Sequence, residues 1–280
     1  MTKKISFIFD GKNYSSNEGN TLAEALIDNG VFLIGRSFKY HRPRGIISAG
    51  SEEPNGIVQL ESGNITEPNV RATEIIIYNG LSAKSQNNWP SVNFDLGSIN
   101  DLLSPFFPAG FYYKTFMWPH KFWKKYEYFI RNAAGLGKSP KEDDPDVYEH
   151  FHYHCDVLIV GGGISGLYAA ELAAKANLKV LLLEQKPKLG GEININQANA
   201  NISIKLFNEI NLNLKKYTNL KIVTNTSVFA YMHHNYLLAC QKVNNKNLRQ
   251  IIWKIRAKKV VLATGSIERP LTFHNNDRPG

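Results

Sequence analysis

Residues 155–185 read CDVLIVGGGISGLYAAELAAKANLKVLLLEQ, and this stretch decides the fold of the chain. An apolar strand runs into a glycine-rich turn, a helix follows at once, and a second apolar strand ends at Glu184. Gly161, Gly163 and Gly166 fill the pattern G-x-G-x-x-G. That pattern alone is weak evidence. Here it stands between a strand and a helix with an acid roughly 20 residues further on, which is the context of a dinucleotide-binding βαβ unit.

Each part of this motif has a physical role in holding a diphosphate. The first glycine permits a tight turn, the second lets the backbone approach a pyrophosphate, and the third lets the helix pack closely on the sheet. The helix N-terminus offers free N–H groups to the phosphates, and the acid can accept hydrogen bonds from the adenosine ribose. The alternative is a glycine-rich turn with no ligand. The predicted cofactor-binding residues of the motif are Gly161, Gly162, Gly163, Ser165, Gly166 and Glu184.

Three further segments are expected at the same site. The turn after Glu184 contains Gly191, in a Lys-Leu-Gly-Gly sequence of the kind that passes close to a bound nucleotide. A later apolar strand ends in Thr264 and Gly265, whose small size allows the backbone to pass beside a cofactor. Val228 is predicted to contact the adenine through its backbone. The motif serves NAD and FAD alike, and Glu184 argues only against a 2′-phosphate, by charge repulsion.

The composition is that of a globular chain for which the cytoplasm is the expected location. The chain has 280 residues, 43% of them hydrophobic, and a net charge of +9. Its lysines are scattered, so we expect no nucleic-acid partner. No apolar run has the length of a signal peptide or a membrane span, so we expect no membrane partner. The two cysteines, Cys155 and Cys240, fit a reducing compartment and lie outside any C-x-x-C motif.

The chain divides into three regions. Residues 1–80 show a hairpin signal at Asp10-Gly11, a capping box between Thr21 and Glu24, and strand patterns at 57–60 and 74–78. This order predicts an α+β ferredoxin-like β-grasp domain. Residues 81–150 form an aromatic-rich connecting segment and linker, whose rings are expected to wedge between domains, to dock against a partner subunit or, third in order, to stack on a cofactor. Residues 151–280 form an α/β Rossmann-like (FAD/NAD-binding) domain.

A second motif, H-x-H-x-H-C at residues 150–155, suggests a metal site, because alternate residues share one face of a strand and His and Cys bind zinc. Cys155, however, begins a buried strand, and no second ligand cluster lies in the sequence. We therefore predict no metal site, and we find no candidate for a catalytic residue in this chain.

The first region has the outline of a ferredoxin module without its usual ligands. Two-iron domains of this type carry cysteines spaced C-x4-C-x2-C, with a fourth further on. Counted from Ser48, this spacing falls on Glu53 and Gly56, and the later position falls near Thr73. Residues 1–154 contain no cysteine, so the sequence predicts no iron–sulfur cluster.

Two long stretches make a family resemblance specific, RSFKYHRPRGI at residues 36–46 and PAGFYYKTFMWP at residues 108–119. With the glycine motif they make the chain similar, over essentially its whole length, to the N-terminal part of the alpha subunit of heterotetrameric sarcosine oxidase. The resemblance implies a subunit of an oxidoreductase, a flavoenzyme that oxidatively demethylates sarcosine to glycine with oxygen as acceptor. It implies NAD in this chain (alternatively FAD), FMN and FAD in the wider complex, and beta, gamma and delta subunits as partners.

Alpha subunits of that family are several-fold longer. The resemblance therefore implies a fragment, a truncated gene or one piece of a split subunit. We expect it to be inactive alone, with a Rossmann-like domain that is incomplete at its C-terminus. Two other functions stay open. One is an FAD-binding electron-transfer subunit of a related opine or amine dehydrogenase. The other is a non-catalytic assembly module whose nucleotide only stabilises the fold.

Overall fold

The structure is a computed structural model that describes residues 3–106, 118–133, 135–194, 201–243, 248–267, 269–276 and 278. The chain forms two compact units, Met1–Pro145 together with Ile267–Gly280, and Asp146–Ser266. Within the described ranges, no helix combines the length and the apolar character that a bilayer crossing requires.

The first unit begins with a hairpin, in which β1 (Lys4–Phe9) pairs antiparallel with β2 (Lys12–Asn17). Asp10 and Gly11 have φ angles of 47° and 75°, the left-handed geometry of a two-residue hairpin turn. Alternate residues of β1 are buried, and they place Phe7 and Phe9 in the core. The hairpin predicted at Asp10-Gly11 is confirmed.

Helix α1 (Leu22–Asp28) follows, and its N-cap is Thr21. Thr21 Oγ1 accepts from the Glu24 backbone N at 3.1 Å, and the Glu24 carboxylate accepts from the Thr21 backbone N at 2.6 Å. The predicted capping box is therefore present, and it satisfies two N–H groups that the helix itself leaves free. Leu22 and Leu26 are fully buried and fix the helix on the sheet.

Later strands complete the sheet of the first unit. A short pair, β3 (Gly35–Arg36) and β4 (Pro43–Arg44), stands separately. The strands β5 (Ile57–Leu60), β6 (Glu67–Arg71) and β7 (Ser82–Ser85) join the hairpin in the order β2-β1-β7-β5-β6. β1 and β7 are parallel, and the other neighbours are antiparallel. A mixed sheet backed by one helix is the β-grasp arrangement expected for this region.

The strand predicted at residues 74–78 is wrong. Ile75 and Ile77 are buried, as their alternation indicated. Their backbones bond to the start of α1, where Leu22 N donates to Ile75 O at 2.7 Å and Ile77 N donates to Asn20 O at 3.0 Å. The alternation of apolar residues correctly predicted which side chains are buried. It did not indicate which segment of backbone would form hydrogen bonds with residues 74–78.

The described part of the connecting segment contains the α-helices α2 (Ile99–Leu102) and α3 (Trp123–Ala133). Residues 107–117, which hold much of the aromatic run, are outside the described residues. The predicted wedging or docking role of that run therefore stays a prediction.

The second unit is a six-stranded sheet. β8 (Val147–Val160), α4 (Ile164–Lys175), β9 (Val180–Leu183), α5 (Asn201–Leu214) and β10 (Leu220–Val223) form two successive βα units with parallel strands. β11 (Thr226–Met232), β12 (Tyr236–Lys242) and β13 (Leu248–Leu262) form an antiparallel meander, and β13 returns parallel to β8. The strand order is β10-β9-β8-β13-β12-β11.

Both faces of this sheet are covered. One face packs against helices, in a cluster that contains Ile159 of β8, Leu167 of α4 and Ile210 of α5. The opposite face packs against the meander, in a cluster that contains Leu158 of β8 and Trp253 of β13. Burial on both faces is the reason that these strands are continuous apolar runs in the sequence.

Candidate functional site

The glycine turn connects β8 to α4 and lies beside the ends of β9 and β13. Gly161 N donates to Leu183 O at 2.8 Å, and a Cβ at Gly161 would lie 2.2 Å from Ala263 O. The φ angle of Gly161 is 108°, which an L side chain rarely adopts. Glycine is therefore required here by the protein itself, whether or not a ligand is bound.

Gly166 is also required by contacts within the protein. It lies in the first turn of α4, and a Cβ there would lie 2.0 Å from Gly161 O. The absence of a side chain lets the helix pack directly on the turn that precedes it. This is the close helix packing that the third glycine of the motif is expected to allow.

No contact within the protein requires a glycine at position 163. It is the N-cap of α4, with an ordinary φ of −71°, and a Cβ built on it would meet nothing within 4 Å. A side chain would therefore project from the helix N-terminus into open space. The N-terminus of a helix attracts anions through its free N–H groups and its dipole. The exposed Ser165 lies in the same first turn.

Glu184 follows β9 and is tied to the turn. It is only 6% exposed, its Oε2 accepts from Gly162 N at 2.6 Å, and its Oε1 accepts from Lys186 N at 2.8 Å. The N–H of Gly162 is thus occupied by this carboxylate. The Gly162 N–H therefore holds the Glu184 side chain in place. The remaining lone pairs of the carboxylate can accept hydrogen bonds from a ligand.

The loop after Glu184 closes along the turn. Gly190 N donates to Gly162 O at 2.8 Å, and a Cβ on Gly191 would lie 3.2 Å from the Cα of Gly163. Gly191 has a φ of 59°, so the loop passes the turn in a conformation that glycine adopts readily. The loop therefore borders the open space in front of Gly163.

The segment after β13 lies on the other side of the turn. Ala263 N donates to Val160 O at 2.8 Å, which extends the pairing of β13 with β8. Thr264 N would lie 3.4 Å from a Cβ on Gly161, and Gly265 has a φ of 69° with open space around it. One bond was not predicted: Ser266 Oγ donates to Glu192 Oε1 at 2.7 Å and joins this segment to the loop after Gly191. Neither residue carries a sequence signal for that contact.

The structure thus brings together the six residues of the glycine motif with Gly191, Thr264 and Gly265. Val228 is placed differently. It lies on β11 opposite Ala239 of β12, at a bulge, and packs against the core cluster that contains Leu158 and Leu183. Its predicted contact with an adenine stays a prediction.

The histidine motif lies on the sheet itself. His150, His152 and His154 are exposed on β8 and face the same way, because they alternate along the strand. In the described part of the chain, no group of three or more His, Cys, Asp or Glu residues could hold a metal ion. Burial raises the pKa of the Cys155 thiol to about 11, against a smaller lowering effect of Lys179. Cys155 is therefore a protonated core residue at neutral pH.

Two family models match parts of the chain. A 2Fe-2S iron-sulfur cluster binding domain matches residues 2–88, and an NAD(P)-binding Rossmann-like domain matches residues 159–219. The predicted order, a ferredoxin-like domain followed by a Rossmann-like domain, is confirmed.

Curated relatives match along nearly the whole chain. The sarcosine oxidase subunit alpha of Rhizobium meliloti (strain 1021) is 46% identical over an alignment of 287 positions, gaps included, that covers 99% of this chain and 29% of the relative. The chain is a homologue of sarcosine oxidase alpha subunits. The same subunit of Corynebacterium sp. (strain U-96) is 32% identical over an alignment of 290 positions that covers 99% of this chain and 25% of the relative. The chain thus spans between 25% and 29% of the length of these two relatives.

A solved structure shares the fold along the chain. The L-proline dehydrogenase from P. horikoshii covers 100% of this chain, and the match covers 44% of that chain, with a TM-score of 0.60 and 23% identity. At 23% identity, this likeness shows only that the two chains share a fold. It shows nothing about the reaction of this sarcosine oxidase alpha homologue.

One prediction must be corrected. The sequence predicted a first domain with no iron–sulfur cluster, but the family model that matches residues 2–88 is that of a 2Fe-2S cluster binding domain. The match points to an iron–sulfur domain at the start of this sarcosine oxidase alpha homologue and overturns the prediction. The absence of cysteine at the ligand positions predicted no cluster, whereas the family match depends on the whole pattern of residues 2–88.

The residues at the four expected ligand positions do not fit thiolate ligation. They are Ser48, Glu53, Gly56 and Thr73, and residues 1–154 contain no cysteine. Ser48, Glu53 and Thr73 are buried polar side chains that hydrogen-bond within the loop.

Proposed function

We propose that this chain is the dinucleotide-binding part of a sarcosine oxidase alpha-like subunit, with NAD, or alternatively FAD, bound at the glycine turn. The main support is the contrast among the three motif glycines. Cβ atoms at Gly161 and Gly166 would collide with protein backbone, whereas a Cβ at Gly163 would meet nothing within 4 Å. The protein therefore gives no packing reason for the middle glycine, and a diphosphate close to the backbone supplies one.

In this proposal the N-terminal turn of α4, with Ser165, binds the diphosphate through its free N–H groups. Glu184 accepts from the ribose hydroxyls with the lone pairs that its two backbone bonds leave free. Gly191, Thr264 and Gly265 line the path of the cofactor, and Val228 contacts the adenine through its backbone. The dinucleotide, when bound, supplies hydride or electron transfer, and the residues of this chain hold and orient it.

We further propose a role in a larger enzyme, with support from the relatives named above. The assembled enzyme oxidatively demethylates sarcosine to glycine with oxygen as acceptor. FMN and FAD lie elsewhere in the complex, the beta, gamma and delta subunits are the partners, and the complex is cytoplasmic. This chain alone is inactive in that reaction.

The test is a calorimetric titration of the purified chain with NAD and with FAD. We expect binding of one equivalent of NAD, and Gly163→Ala should weaken it at least ten-fold, or about 1.4 kcal/mol. Gly35→Ala is the matched control, because a Cβ at Gly35 would make only ordinary contacts, at 3.8 Å and beyond, and Gly35 lies in the first unit. Unchanged affinity in Gly163→Ala would contradict the proposed site.

The same titration, together with unfolding temperatures and turnover of the reconstituted complex, separates the two alternative functions. A yellow chain that retains FAD supports the electron-transfer subunit of an amine dehydrogenase. A nucleotide that raises the unfolding temperature, while Gly163→Ala leaves turnover of the reconstituted complex unchanged, supports the assembly module.

A further inference from the structure

The four positions that the ferredoxin spacing assigns to cluster ligands meet in one hydrogen-bonded loop, residues 46–56 with Thr73. Glu53 and Ser48 are buried, with exposed fractions of 0% and 6%, and Gly56 N donates to the Glu53 carboxylate. Thr73 Oγ1 donates to Gly50 O at 2.8 Å and joins the fourth position to the loop. The fold therefore brings together the four positions that the ferredoxin spacing assigns to cluster ligands.

The carboxylate of Glu53 is the centre of this loop. Its Oε2 accepts from Ile47 N at 2.8 Å, from Ser48 N at 2.7 Å and from Ser48 Oγ at 3.2 Å. Its Oε1 accepts from Asn55 N at 2.7 Å and from Gly56 N at 3.1 Å. Four backbone N–H groups and one hydroxyl, from both ends of the loop, therefore converge on one fully buried side chain.

A buried carboxylate is costly unless its oxygens are hydrogen-bonded, and bonds from N–H groups to a charged oxygen are the strong ones. Here both oxygens are satisfied by the loop, so the loop and the charge stabilise each other. The backbone of the same residue is also held, because Arg71 Nε donates to Glu53 O at 3.0 Å. A loop that directs several N–H groups inward requires hydrogen-bond acceptors at its centre, and the two oxygens of a carboxylate supply several acceptor positions at once.

We propose that Glu53 is the internal anion that shapes this loop, at one of the positions that the ferredoxin spacing assigns to cluster ligands. Sulfur atoms of a cluster also carry negative charge and accept hydrogen bonds from surrounding N–H groups. The Glu53 side chain presents the same property to the same loop, as a covalent part of the chain. Glu53 is in this view a positioning residue, and the loop does not depend on thiolate ligands for its conformation.

The first test is hydrogen exchange of the full chain, read by mass spectrometry over peptides that cover residues 46–56. In Glu53→Gln the side-chain amide places its own N–H₂ group against backbone donors, so we expect at least ten-fold faster exchange of these amides. The matched control is Glu52→Gln, which removes the same charge one residue away from a partly exposed side chain. We expect wild-type exchange in Glu52→Gln. Wild-type exchange in Glu53→Gln overturns the proposal.

The second test does not depend on the folding of Glu53→Gln. It uses the quadruple variant Ser48→Cys, Glu53→Cys, Gly56→Cys and Thr73→Cys, treated anaerobically with iron and sulfide beside the wild-type chain. We expect the variant to take up iron with the visible absorption of a 2Fe–2S cluster, since the four positions converge. A folded variant that takes up none overturns the assigned position. Formation of a cluster in the wild-type chain, with loss of exchange protection in the loop, overturns the role of Glu53.

Discussion

Oε2 of Glu184 lies 2.6 Å from the backbone nitrogen of Gly162 and accepts its N–H. The acid that ends the second strand of the βαβ unit is therefore joined to the glycine turn by the protein itself, before any ribose is bound. Its second oxygen is held by Lys186 N at 2.8 Å. Glu184 thus has a structural role in addition to its proposed role in binding, and experiments can separate the two.

The structural role predicts a loss of stability without any ligand. Glu184→Ala removes the acceptor from two backbone N–H groups, so the free energy of unfolding should fall by about 1–3 kcal/mol. Urea denaturation of the nucleotide-free chain measures this. Glu149→Ala is the control, because Glu149 is exposed on β8, and its effect should stay within about 0.5 kcal/mol. Equal midpoints for the two variants would show that Glu184 has no structural role.

Substitution of the motif glycines by alanine should destabilise the fold at Gly161 far more than at Gly163. Gly161→Ala places a Cβ 2.2 Å from Ala263 O at a φ of 108°, so we expect a destabilisation of more than about 2 kcal/mol. Gly163→Ala meets no protein atom within 4 Å, so it should cost only the poorer capping of α4 by alanine, about 1 kcal/mol or less. Differential scanning calorimetry of the nucleotide-free chain compares them. A loss of stability in Gly163→Ala as large as that in Gly161→Ala would mean that the middle glycine also serves the fold.

Cys155 should make stability depend on alkaline pH. Burial raises the pKa of its thiol to about 11 from an ordinary value of 9.0. The unfolded thiol ionises first, so the stabilisation is complete below about pH 9 and is lost as the pH rises towards 11. The unfolding temperature of the wild-type chain should therefore fall more steeply over this window than that of Cys155→Ala. Parallel curves for the two chains would contradict the raised pKa.

Lys221 should stabilise the aromatic cluster under the meander. Its Nζ lies 4.8 Å from the ring centre of Trp253, 5.5 Å from that of Tyr153 and 6.0 Å from that of Phe151. Lys221→Met keeps the aliphatic stem and removes the charge, which should cost about 0.5–2 kcal/mol. Urea unfolding followed by tryptophan fluorescence measures it, with Lys205→Met of an exposed helical lysine as control. A cost no larger than that of the control would remove the cation–π role.

Several features could be predicted from the sequence because a few adjacent residues determine them. The hairpin turn at Asp10-Gly11 depends on two left-handed residues, and the capping box depends on Thr21 and Glu24, three positions apart. The βαβ unit needs only the glycine spacing, the apolar strands and the acid at Glu184. Each of these is a local constraint on backbone conformation or hydrogen bonding.

Other features needed the folded chain, because they depend on which distant groups meet. Periodicity showed that Ile75 and Ile77 are buried, but it did not show that their backbones bond to the start of α1. The first half of β8, which holds the three histidines, is a strand because it pairs with β13 about a hundred residues later. Pairing of that kind leaves no local pattern.

The sequence by itself determined the glycine turn, the acid at its side and the four loop positions of the first domain. Only the tertiary structure decided what each does: Gly161 and Gly166 make room for protein atoms, Gly163 faces open space, and Glu53 gathers the N–H groups of its loop. The physical reason is that spacing along a chain fixes local conformation. Burial and hydrogen-bond partners, by contrast, depend on the distances that folding creates between remote segments.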